Sequence, residues 1–255
     1  MLRAVLAAFA DISVSQLLLI AGMGVLTSLI GGVAGYGTGA LMPLVLVPIV
    51  GAEPVVPIIA ISAMITNTSR ATAFQKSIDW RPVLIVLAAA TPTCMLGAYG
   101  YTLLTGKGAL IVIGTMLALS VPLRRTLRSR GVGIGDKGLG LASVAWGVVV
   151  GGTTGAGIIL LSMLMAAGLE GAAVIATDAV ISIILGAVKL AVFGIAGVIT
   201  FQVIALAILI GVVAFPGAFL ARTLVERLPI HIHSAILDVV VFMGGAIMIF
   251  GALRQ

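Results

Sequence analysis

GGVAGYGTGALMPLVLVPIVG, from Gly31 to Gly51, is answered 120 residues later by GGTTGAGIILLSMLMAAGLEG, from Gly151 to Gly171. Each copy opens on a glycine pair at the end of an apolar segment, passes through a glycine-rich break into a short apolar piece, and closes on another glycine. The short pieces, Thr38–Val50 and Gly157–Gly168, reach only about 20 Å as helices, against the ~30 Å of a bilayer's hydrocarbon core. They read as half-helices or as tilted, buried spans.

Working outward, apolar segments fall at roughly 14–32, 36–50, 55–74, 82–103, 108–123, 139–154, 157–168, 171–193, 199–221 and 233–252. Hydrophobic residues make up 61 % of the chain and charged residues 9 %. Soluble domains carry about 25 % charge, so a soluble globule has too little polar surface here, and disorder is excluded by the same numbers. The runs are continuous rather than alternating, which selects helices over a closed barrel. The predicted fold is therefore an all-α polytopic membrane protein. Five crossings per half is an odd number, so duplicated halves must run in opposite directions. Inverted-topology repeats with short, glycine-interrupted helices at matching positions are a transporter pattern. The expected units are an N-terminal repeat over 1–123, a basic cytoplasmic linker over 124–138 and a C-terminal repeat over 139–255.

Fourteen Lys and Arg stand against eight Asp and Glu. They lie in short gaps between apolar runs, so they mark topology rather than nucleic-acid binding. Arg70, Lys76 and Arg81 form one cluster, Arg124, Arg125, Arg128, Arg130 and Lys137 a second, and Arg222 and Arg227 a third. The positive-inside rule puts all three in the cytoplasm and both termini outside, provided the Gly157–Gly168 piece counts as a crossing. MLRAVLAAFA at the start imitates a short signal peptide, but the patch is brief and many spans follow, so it is read as retained. Cys94, the single cysteine, implies neither a disulfide framework nor a metal site.

The breaks carry the chemistry. Gly35, Gly37 and Gly39 alternate in one, Gly155 and Gly157 in the other. Glycines at the mouth of a short helix expose backbone N–H groups that lipid cannot satisfy, and these groups and the helix dipole favour an anion. Thr38, Thr153 and Thr154 offer hydroxyl donors, and Tyr36 a phenol donor or a gate. No Lys follows at the spacing of a soluble nucleotide loop. Asn67 and Arg70 share one helix face, and Asp178 lies well inside an apolar run, where a carboxylate either relays a proton or pairs. Lys189, eleven residues further on, is about 16 Å away by helical rise, too far for an ion pair within the helix. Glu53 and Glu170 read as boundary residues. His231 and His233 read as ordinary polar residues, since no further metal ligands accompany them. Pro43 and Pro48 are expected to kink or break the first short helix.

These stretches give the chain its likeness to a known family. With GGVAGYGTGALMPLVLVPIVGAEP at Gly31–Pro54 and its degenerate copy from Gly147 to Asp178, the sequence resembles the TauE/SafE family of sulfite-exporter-like permeases over nearly its whole length. Gly37, Gly39, Pro43, Leu44, Gly51 and Pro54 keep the family frame. Tyr36 and Thr38 among the glycines, and Ile61–Ser62 in place of a Thr–Ser pair, depart from it. The resemblance implies transport of small organic or sulfur-containing anions, such as sulfite, sulfoacetate or thiosulfate, across a bacterial plasma membrane.

The expected function is thus a secondary transporter with no cofactor, with Gly35, Tyr36, Gly37, Thr38, Gly39, Thr153, Thr154, Gly155 and Gly157 at the substrate. Asn67, Arg70 and Asp178 are expected on the coupling pathway, and Asp178 is the candidate for a coupling proton. An uncoupled, channel-like permease for another small solute is the alternative. An enzyme is disfavoured, because Cys94 has no His nearby in sequence and no acid pair brackets a water. A monomer and a homodimer are both compatible with the sequence.

Overall fold

A computed structural model describes residues 9–34, 38–130, 133–217, 219–220 and 230–254. Among them are ten α-helices and no strand: α1 (Val14–Ala34), α2 (Thr38–Val50), α3 (Val55–Ala73), α4 (Trp80–Thr102), α5 (Gly106–Arg130), α6 (Asp136–Gly152), α7 (Gly157–Ala166), α8 (Ala172–Ile195), α9 (Phe201–Ala214) and α10 (Ile230–Arg254). Each falls on one of the ten apolar segments. Two ends differ from expectation. The fifth helix runs on through Arg124, Arg125, Arg128 and Arg130, so much of the expected linker is helical. Arginine is a good helix former, and only the apolar signal stops at residue 123. The ninth helix ends at Ala214 instead of continuing toward residue 221. Pro216 brings no N–H to carry the ladder forward and disfavours helical backbone at the residue before it.

Prolines 43 and 48 do not break α2; both lie inside it. Pro43 has no N–H for the carbonyl four residues back, which is that of Gly39. That oxygen instead accepts the Thr154 hydroxyl at 2.7 Å, from the other glycine break. Pro57 repeats the pattern: the Glu53 carbonyl, four residues back, accepts the Tyr101 hydroxyl at 3.1 Å, and the Ala52 carbonyl accepts it at 2.8 Å. In each case the acceptor that proline leaves over joins distant parts of the chain.

The helix pairings are symmetric under exchange of α1–α5 with α6–α10. The closest seam, α4 on α6, corresponds to α9 on α1. The α4–α8 and α9–α3 contacts map onto each other, as do α1–α2 and α6–α7, α2–α3 and α7–α8, and α5–α7 and α10–α2. The α3–α8 and α5–α10 pairs map onto themselves. The buried apolar residues follow suit. One cluster gathers Met42 and Leu46 of α2 with Ile58 and Ile210, the other Leu160 and Leu164 of α7 with Val86 and Ile181.

Small residues make the α4–α6 seam possible. Gly147 and Gly151 form a G-x-x-x-G pair on α6, facing Ala90, Cys94 and Ala98 on α4. Such spacing lets two helix backbones touch. At its solvent end Arg81 pairs with Asp136, but both side chains are exposed, so this bridge contributes at most about 1 kcal/mol. The outer faces are apolar: Leu18, Leu84, Leu96, Leu141, Val212 and Ile247 are all exposed. A soluble monomer seldom shows so much apolar surface. By length and composition, α4 and α8 are able to cross a membrane.

Candidate functional site

The two glycine breaks meet. The Thr154–Gly39 hydrogen bond ties them, and a Cβ on Gly39 would stand 3.2 Å from the Gly155 nitrogen, tighter than an ordinary contact. In the second break, α6 stops at Gly152, Thr153 is extended, and Gly155 takes φ +83°, a left-handed conformation that suits glycine. The next helix then starts at Gly157 with no side-chain cap. The Trp146 indole donates to the Ala156 carbonyl at 2.9 Å across the break, and its ring is buried.

Around this junction lies a cavity of about 140 Å³. Thr38, Gly39, Thr153, Thr154, Gly155 and Gly157 line it, together with Asn67, Arg70 and Asp178. Nine of the twelve residues singled out from the sequence therefore share one space. Gly35, Tyr36 and Gly37 lie outside the described residues. The N-terminal ends of α2 and α7 both open on the cavity, and the first turn of a helix has N–H groups without partners inside the helix.

The charged residues come from α3 and α8. Arg70 and Asn67, three residues apart, are hydrogen-bonded to each other, as their shared face predicts. Arg70 Nη1 also stands 3.4 Å from Asp178 Oδ2, so the carboxylate expected to relay or pair is paired with the guanidinium of the neighbouring helix. Asp178 is almost wholly buried. Its other oxygen, Oδ1, accepts no hydrogen bond among the described residues. Ser182, one turn further along α8, lines the same cavity.

Lys189 is the residue that sequence reasoning passed over. It is buried, and its Nζ donates to the Val150 carbonyl at 2.9 Å and to the Thr153 carbonyl at 3.1 Å. These are carbonyls at the C-terminal end of α6, the negative end of its dipole. The ammonium thus covers the negative helix end at the break and leaves the positive end of α7 facing the cavity. Its spacing from Asp178 correctly excluded an intrahelical pair. A lysine in the middle of an apolar run was itself the available signal.

Among the described residues no group of three or more His, Cys, Asp or Glu side chains is placed to hold a metal ion. One buried and one partly buried cation, one buried anion, two helix N-termini and several hydroxyls make a small polar chamber suited to a compact oxyanion. No curated protein and no solved structure matches the chain. The family model described as "Sulfite exporter TauE/SafE" matches residues 20–248, from the first helix to the last. The chain belongs to the sulfite exporter TauE/SafE family, membrane transporters of sulfite-like anions.

Proposed function

We propose that the chain is a multi-pass secondary transporter that carries small sulfur-containing or organic anions through the cavity between its two glycine breaks. One observation carries this reading: both breaks, Arg70 and Lys189 line a single chamber. Two positive helix ends and a net excess of one buried cation attract an anion without holding it too tightly for release. No nucleotide motif is present in the sequence, so a gradient of substrate or of protons supplies the energy, with Asp178 as the proton carrier. The site of action is the bacterial plasma membrane.

The test is uptake into proteoliposomes holding the purified chain, with sulfite, thiosulfate and sulfoacetate as substrates. Uptake of at least one of them is expected. Gly157→Val should suppress it, because a Cβ there meets no heavy atom within 4 Å and Gly157 lines the cavity, so the side chain enters open space without disturbing a neighbour. Overfilling a close-fitting site costs about 1–3 kcal/mol, so uptake should fall by roughly ten- to a hundredfold. Transport of a cation or neutral solute, with every anion failing, would overturn the substrate class.

The same proposal holds that residues 1–123 and 139–255 are inverted repeats. The exchange symmetry of the helix pairings supports it, as does the odd number of segments per half. The basic linker at 124–138 and the turn after α3, with Lys76 and Arg81, then face the cytoplasm. Cysteine labelling checks this, since the native Cys94 is buried and gives little background. In spheroplasts, an impermeant maleimide should react with Ser13→Cys, at an exposed position before α1, and reach Ser129→Cys only after permeabilisation. The reverse pattern would invert the topology, and equal labelling of both sites in intact cells would exclude it.

A further inference from the structure

The described ionic lining of the cavity is small enough to add up. It consists of Arg70, Asp178 and Lys189, a net charge of +1 when all three are ionised. The Arg70–Asp178 pair spans α3 and α8 at 3.4 Å, while Lys189 is engaged by the end of α6. The Asp178 carboxylate meets Arg70 through Oδ2 only, and Oδ1 is buried in the same chamber with no hydrogen bond among the described residues. A buried carboxylate oxygen without a donor is costly, and a proton on it removes the cost.

We propose that the cavity counts the charge of its substrate: a doubly charged anion travels with one proton on Asp178, and a singly charged anion travels without one. This rests on the reading that the anion passes through this chamber. A monoanion cancels the +1 and leaves the Arg70–Asp178 pair in place. A dianion leaves the described lining at −1 while Asp178 is ionised, and an uncompensated charge away from water is strongly disfavoured. When Asp178 Oδ1 takes a proton from water on the loading side, a new O–H bond forms and the carboxyl becomes neutral. The guanidinium charge, no longer offset by the carboxylate, then balances the second charge of the substrate. When the dianion leaves on the far side, the Asp178 O–H bond breaks, the proton goes to water there, and the pair with Arg70 re-forms. One proton has crossed with one dianion, in the same direction.

The other titratable groups on elements packed against α8 do not take this part. Lys76, in the turn after α3, and Asp79, Arg81 and Tyr99, at the start and on the outer face of α4, are exposed, and the buried Tyr101 hydroxyl donates to the Ala52 and Glu53 carbonyls. Cys94 on α4 is buried in the seam against Gly151 of α6. Arg70 is the charged group set against Asp178 among the described residues.

The experiment compares two probes of similar size in proteoliposomes: thiosulfate, a dianion at neutral pH, and methanesulfonate, a monoanion. The membrane potential is clamped at zero, and a pH difference of one unit is imposed. Thiosulfate should accumulate on the alkaline side toward the about tenfold ratio that one proton per substrate allows. Methanesulfonate should equilibrate at a ratio of about 1. Asp178→Asn, which keeps the shape but cannot take up and release a proton, should bring the thiosulfate ratio to about 1. Equal responses of the two probes to the pH difference in the unaltered protein would overturn the charge rule, a result that does not depend on how the variant folds. Undiminished thiosulfate accumulation by D178N would overturn the assignment of the proton to Asp178. If neither probe nor any sulfite-like anion enters, the chamber is not an anion path, and the underlying reading falls together with the rule.

Discussion

Valine at Gly151 should leave no folded protein to purify. Gly151 faces α4 so closely that a Cβ would strike the Cys94 carbonyl and stand 2.9 Å from the Ala98 nitrogen. At Gly147, one turn earlier, a Cβ would lie 2.6 Å from the Ala90 carbonyl oxygen, and at Gly97 on the opposite helix one would lie 2.9 Å from the Gly152 nitrogen. These neighbours are backbone atoms held in their own helix ladders, so no rotamer change makes room. The two helices would have to part along the most extensive seam in the molecule. Overpacking that flexible side chains absorb costs about 1–3 kcal/mol. Parting this seam exceeds that and approaches the whole ~5–15 kcal/mol that holds a domain folded. Gly140→Val, also on α6, is the control: its Cβ would meet only Ile85 Cγ2 at an ordinary 3.7 Å. In mild detergent G140V should elute as a monodisperse peak with near-native thermal stability, whereas G151V should aggregate. A monodisperse G151V with unchanged melting would disprove the close seam.

The helices were legible because apolar runs in this chain have little else to mean. Every segment read from the sequence contains a helix, and the two short ones keep their places as α2 and α7. The extents failed where hydropathy and helicity part company. Arg124 to Arg130 are polar but good helix formers, and Phe215–Pro216 are apolar but interrupt a helix. Proline in α2 was read as a local kink or break; the helix is not broken, and the Gly39 carbonyl that Pro43 leaves over is taken up at long range by Thr154. Of the site, the breaks were legible because glycines repeat there at matching positions. Arg70 and Asp178 were each conspicuous as ionic residues in apolar runs, yet nothing local couples them, since 108 residues separate them and only the α3–α8 contact brings them together. Lys189 was equally conspicuous, but its role was hidden. Its partners are backbone carbonyls 36 and 39 residues away, and carbonyls carry no sequence signature.

That lysine gives the second large effect expected. Lys189→Met should preserve the fold and nearly abolish transport. Two opposing terms decide the stability. The ammonium makes two charge-assisted hydrogen bonds, each contributing about 1.5–3 kcal/mol. Holding that ammonium out of water costs several kcal/mol, which methionine of similar length does not incur. The terms largely cancel, so the melting temperature should move by only a few degrees. Transport has no such cancellation. Removing the charge takes the described lining from +1 to zero and uncovers the negative end of α6 beside the anion. At about 5 Å and an effective dielectric of about 20, a unit charge contributes roughly 3 kcal/mol, a loss of more than about a hundredfold in uptake. Two further substitutions separate charge from capping. Lys189→Gln retains a donor for the Val150 and Thr153 carbonyls but no charge, whereas Lys189→Arg retains the charge in a fork that fits two carbonyls differently. If the charge holds the substrate, K189Q should behave like K189M and K189R should recover part of the uptake. Should K189Q carry anions as fast as the unaltered protein, Lys189 serves only to cap α6, and the attraction in the chamber must come from Arg70 and the two helix ends.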